Sequence, residues 1–191
     1  MACPQTVLRY WLEEVGPKGW YGGGDALDSD IRARFAPLWE AARRGELESW
    51  PTEAQGALAY IIVTDQFPRN MFREDPRAFA TDRPARQVAE RAIHWRWDLR
   101  IGEPERQFFY MPLMHSECKA DQDRCVRLIL SRMPQTGANN LLHARAHREV
   151  IRQFGRFPYR NGALGRDSTD AEQAFMGNGG YGAVVRELEA A

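Results

Sequence analysis

Apolar residues recur along this chain every three or four positions, the period of a helix face, and almost nowhere every two. Val7, Leu8, Trp11, Leu12 and Val15 mark a first face that stops at Gly16-Pro17. Ile31, Phe35, Leu38, Trp39 and Ala42 mark a second. Asp28 is its expected cap, and Pro37 within it predicts a kink. From Ala54 to Val63 the chain is apolar nearly all round, which predicts a helix buried on most sides. Thr52-Glu53-Ala54-Gln55 has the form of a capping box opening that helix. Asp82 is placed to cap the helix bearing Ala85, Val88, Ala89, Ala92 and Ile93. Cys125, Val126, Ile129, Leu130 and Met133 share one further face, and Ala144, His147, Val150, Ile151 and Phe154 another, closed by Gly155. Thr169-Asp170-Ala171-Glu172 is a second capping box, starting a short helix that ends near Gly177. The glycine-rich Asn178 to Gly182 then leads into a polar tail expected to fray. No stretch of β-branched alternation interrupts these patterns. The expected fold is all-α, a single domain over residues 1–191 built as an array of about eight to ten helices.

Two of the expected helix ends carry the same polar groups. Asp65-Gln66-Phe67-Pro68-Arg69-Asn70 follows one apolar helix, and Phe154-Gly155-Arg156-Phe157-Pro158-Tyr159-Arg160-Asn161 follows another. In both, the residue before proline is pushed toward extended backbone, so an arginine and an asparagine are set on a turn. Matched ends predict one shared polar site. Asp65 lies one turn beyond Ile61 on a buried line, so its carboxylate is expected to be buried and paired, with Arg69, Arg156 and Arg160 as candidate partners.

Composition narrows the class. Acidic and basic residues number 26 each, which excludes a general affinity for nucleic acid or anionic membranes. All of the basic residues except Lys18 and Lys119 are arginine, the side chain that makes forked contacts to carboxylates and phosphates. Cys3, Cys118 and Cys125 are odd in number and lack metal-type spacing, which suits a reducing cytoplasm. No signal peptide is legible, and the longest apolar run, Ala57 to Val63, is far too short to span a bilayer. The loop from Gly19 to Gly24 lacks the spacing and the preceding strand of a nucleotide-binding turn.

DQFPRN at 65–70, FYMPLMHSE at 109–117 and FGRFPYRN at 154–161 together resemble one family, the bacterial domain of unknown function 924. The resemblance runs from about Val7 to Gly177 and leaves 178–191 as a glycine-rich stretch and tail. It implies an all-helical fold with tetratricopeptide-like packing of helix pairs. It implies no activity, cofactor or partner.

The residues that could carry chemistry lie in or beside these motifs. His115, Glu117 and His147 could serve as acid–base groups or metal ligands, with His143 one turn from His147. A recognised metal-binding pattern is missing, so no metal is assigned. Arg69, Arg156, Arg160 and Arg166, with Asn70 and Asn161, could clamp a carboxylate or phosphate. The competing structural role is that Arg69 and Arg156 satisfy Asp65, Glu117 and the open carbonyls of the helix ends. Ser116 and Cys118 lack the strand-to-helix elbow of a nucleophile. The expected function is a binding protein whose Arg/His/Asn pocket (Asp65, Arg69, Asn70, His115, Glu117, His147, Arg156, Arg160, Asn161) takes an acidic small molecule or peptide. The alternatives are a small hydrolase-like or metal-assisted enzyme using His115, Glu117 and His147, and a purely structural polar network. The sequence names no cofactor.

Overall fold

A computed structural model describes residues 3–190, and among them there is no strand. The chain divides into two compact units that adjoin in sequence at Pro112 and Leu113.

The first unit opens with α1 (Pro4–Leu8), which widens directly into a π-helical stretch, Arg9–Val15. Helix α2 (Asp25–Arg43) follows and runs unbroken through Pro37. Asp28 is not its cap. It lies inside the helix, buried, and accepts bonds from Asn70 (2.9 Å) and from Arg73. Helix α3 (Ala54–Ile61) is buried on nearly every side, as its composition predicts. Its capping box does not form: the cap position is Glu53 with no side-chain bond, and the Thr52 hydroxyl donates to Ser49 O instead.

Helix α3 does not end at Phe67-Pro68 either. It widens into a π-helical stretch, Ile62–Gln66, and continues as α4 (Phe67–Met71), with Phe67 itself helical. Proline inside a helix lacks an N–H and crowds the preceding turn, and a widened turn just before it relieves both problems. Helix α5 (Asp82–His94) takes Thr81 at its cap position, and Asp82, in its first turn, pairs with Arg69 at 2.9 Å. The Thr81 hydroxyl instead links two elements, donating to Thr64 O (2.6 Å) while accepting from the Trp39 indole (3.0 Å). The core of this unit is aromatic. Phe67 lies 4.7 Å from Phe35 and 5.5 Å from Trp11, ring centre to ring centre, and Trp20 lies 4.8 Å from Phe108.

The second unit is built on α6 (Lys119–Arg132) and α7 (Ala138–Phe154), joined by a short turn. At Gly137 an added Cβ would lie 2.4 Å from Met133 O, so only glycine lets the chain turn this tightly. Gly155 closes α7 in the left-handed conformation (φ 71°), as its position predicts. Here Phe157 is extended before Pro158, so the two Phe-Pro steps differ in conformation. Helix α8 (Asp170–Gly177) starts at a complete capping box between Thr169 and Glu172. The tail does not fray. Residues Gly180–Glu189 form α9, which packs Tyr181, Val184, Val185 and Leu188 onto Ala146, Val150 and Ile151 of α7. Those residues recur at helical spacing, and that apolar stripe outweighs the two glycines before it.

Candidate functional site

Two polar systems in the second unit are largely self-satisfied. Glu117, on the loop before α6, accepts from the Phe157 N–H (2.8 Å) and from both terminal nitrogens of Arg166 (2.8 and 3.0 Å). Burial alone would raise its pKa. The Arg166 and Phe157 bonds and the charge of Arg160 outweigh burial and hold it below the usual carboxylate range. Arg166 also donates to Asn161 Oδ1 (3.0 Å) and Phe157 O (3.2 Å), and buried Asn161 donates to Ser168 Oγ (3.0 Å). The result is a clasp that shapes the chain between Phe157 and Ser168. Arg156 makes a second clasp, forked onto Glu172 (2.6 and 2.7 Å) and bonded to Asp167 O (2.8 Å). The Arg156 guanidinium, helped by the Thr169 N–H, draws the Glu172 carboxyl far below its ordinary pKa.

His115, His143, His147, Arg160 and three aromatic rings form a different kind of cluster. Helical spacing puts His143 and His147 on one face of α7. Tyr181, in the first turn of α9, reaches both: its hydroxyl lies 2.7 Å from His143 Nδ1 and 3.1 Å from His147 Nδ1. His147 Nδ1 also lies 2.8 Å from the His143 carbonyl. The His115 ring is 6.3 Å from that of His147. The Phe157 ring is the floor of the cluster, with the Arg160 guanidinium 4.5 Å above it, His147 edge-on at 5.4 Å and Tyr159 stacked at 5.3 Å. Burial first, then the positive charges of His115 and Arg160, push the His147 pKa down to about 3. His143 is lowered as well, by burial. Both imidazoles are neutral at neutral pH.

Asp65, Arg69 and Asn70 belong to the first unit and find partners there. Asp65, fully buried, accepts from Gln66 Nε2 (2.6 Å) and Arg69 Nη2 (3.2 Å), as its position predicts. Asn70 turns to Asp28. His115, Glu117, His147, Arg156, Arg160 and Asn161 all belong to the second unit. Among the described residues no three His, Cys, Asp or Glu side chains are grouped so as to hold a metal ion. Tyr181 and Tyr159 escaped the sequence reading. The signal for Tyr181 was present in the amphipathic spacing of Tyr181, Val184, Val185 and Leu188.

A family profile described as "bacterial protein of unknown function (DUF924)" matches residues 7–180. A solved structure of a protein of unknown function from Agrobacterium tumefaciens is similar, with a TM-score of 0.84 and 36% sequence identity over 91% of this chain and 96% of that one. No protein with a curated description matches.

Proposed function

The chain belongs to the bacterial family of unknown function DUF924, and we propose that its second unit binds a small acidic ligand at the cluster of His115, His147 and Arg160. The observation that carries this is the placement of the Arg160 guanidinium and the His147 imidazole on one aromatic floor, Phe157, flanked by Tyr159, with the His115 ring 6.3 Å from that of His147. Aromatic walls exclude water and so strengthen the attraction of a cation for an anion. The clasps of Glu117 and Arg156 hold the surrounding loop in place, so the anion is a carboxylate or phosphate met by Arg160 and the imidazoles. It is carried by a small molecule or by an acidic peptide. Helix pairs such as α6 and α7 support tetratricopeptide-like packing as the frame for it. Three cysteines outside any disulfide suit a cytoplasmic setting.

A small hydrolase-like enzyme is the alternative, favoured by the hydrogen-bonded pair His147 and Tyr181. Binding leads because an imidazole held near a pKa of about 3 is a poor base at neutral pH. Glu117, forked by Arg166, is likewise held in its ionised form. The test is a thermal-shift titration of carboxylates and phosphates against the full chain. At least one is expected to raise the melting temperature saturably, as a ligand of the native state must. Arg160→Gln is expected to remove that rise while the helical spectrum persists. A flat response to every anion overturns the assignment.

A further inference from the structure

We infer that the anion taken at this cluster carries an O–H group beside its negative charge, as a hydrogen phosphate or a 2-hydroxy acid does, because His147 meets it with a bare ring nitrogen. The inference rests on the anion site proposed above and says which anions it selects.

The protonation pattern follows from hydrogen-bond chemistry. A carbonyl oxygen can only accept, so the 2.8 Å contact to His143 O requires a proton on His147 Nδ1. A neutral imidazole carries one N–H, which leaves Nε2, at the far edge of the ring, as a lone pair. Among the described residues that nitrogen has no hydrogen-bond partner. Tyr181 completes the pattern. Since His147 Nδ1 already donates, the phenol at 3.1 Å can only accept from it, which leaves the phenol proton available to His143 Nδ1 at 2.7 Å. The His143 carbonyl sets the tautomer of His147, and one hydroxyl on α9 bridges the two imidazoles of α7.

An anion drawn toward Arg160 comes beside the His147 ring, since both border the Phe157 ring. If the oxygen facing Nε2 lacks a proton, lone pair meets lone pair. If it bears one, the contact is a hydrogen bond. Proton uptake by His147 would also relieve the conflict, but burial and the neighbouring positive charges oppose it.

The experiment is titration calorimetry of the full chain at neutral pH with two matched pairs, inorganic phosphate against sulfate and glycolate against acetate. The first member of each pair has an O–H and the second has none. At least one pair is expected to show a preference of about tenfold or more for the hydroxylated member. The pair that discriminates identifies the source, phosphoryl group or hydroxy acid. His147→Phe, which keeps a ring of similar breadth, is expected to reduce that preference to near unity while weak binding of sulfate or acetate remains. Imidazole nitrogen resonances of His147 should show Nδ1 protonated and Nε2 bare, free and in the complex. Equal affinities within both pairs, or a proton on Nε2, overturn the inference and leave the anion site standing. No binding by any of the four overturns both.

Discussion

Asp65 keeps its charge out of water by means of two neighbours on its own helix, Gln66 and Arg69. Arg69 is shared, since it also holds Asp82 and donates to Ala78 O (3.2 Å). Asp65→Ala removes the deeper of its two carboxylates, and breaking a buried pair costs roughly 3–5 kcal/mol. Asp82 still compensates Arg69, so the lower end, about 3 kcal/mol, is expected as a drop in the urea midpoint. His147 contributes in the opposite sense. Its pKa is depressed on folding from 6.5 to about 3, so between those values the unfolded chain binds a proton that the folded chain refuses. Stability is therefore intact above 6.5 and falls as pH drops below it. His143, also lowered, adds to the fall, and Glu117 adds further loss as the pH approaches the carboxylate range. Melting temperatures taken from neutral pH down to about pH 5 are expected to decline in the native chain and to decline less in His147→Phe. The pairing of Asp65 was legible because its partner lies one helical turn away. The partners of Arg156 and Glu117 were not, because Glu172 and Arg166 reach them only after the chain has looped back.

At the level of elements, the two capping boxes provide a controlled comparison. Both fit the sequence rule, yet only the one at Thr169 forms, with its hydroxyl and the Glu172 carboxylate exchanging bonds with the backbone. At Thr52 the preceding turn takes the hydroxyl, and α3 draws its stability from burial. Thr169→Ala is expected to cost about 1 kcal/mol and Thr52→Ala under about 0.5 kcal/mol, read from denaturant midpoints. Similarly, one Phe-Pro step is extended and the other helical, and the difference lies in the π-helical turn before Pro68. Helix existence and the buried face of α3 could be read from periodicity alone. The caps at Gly155 and Thr169 follow their motifs, whereas those at Asp28 and Thr52 and the two π-helical turns do not, since these are decided by what packs beside them.

Across the whole molecule, much of the arginine excess goes into pairs at the surface, such as Arg34 with Asp30, Arg43 with Glu40 and Arg152 with Glu149. Such pairs contribute little individually, so most of the arginine count says little about a ligand. The all-α class follows from the sequence because every long apolar pattern has one period. The candidate site was only half visible, because its tyrosines lie outside the residues first singled out. A chain stopped after Gly179 would lose Tyr181 and uncover the α7 face that Val184 covers. Burial of that valine alone is worth roughly 1.5–3 kcal/mol, so the shortened chain is expected to unfold at lower urea and to lose its anion response. The family match ends at residue 180, one position before Tyr181. A genome survey that accepts relatives on the matched segment would therefore pass a gene with an early stop codon as intact, although its product lacks the phenol that bridges both histidines.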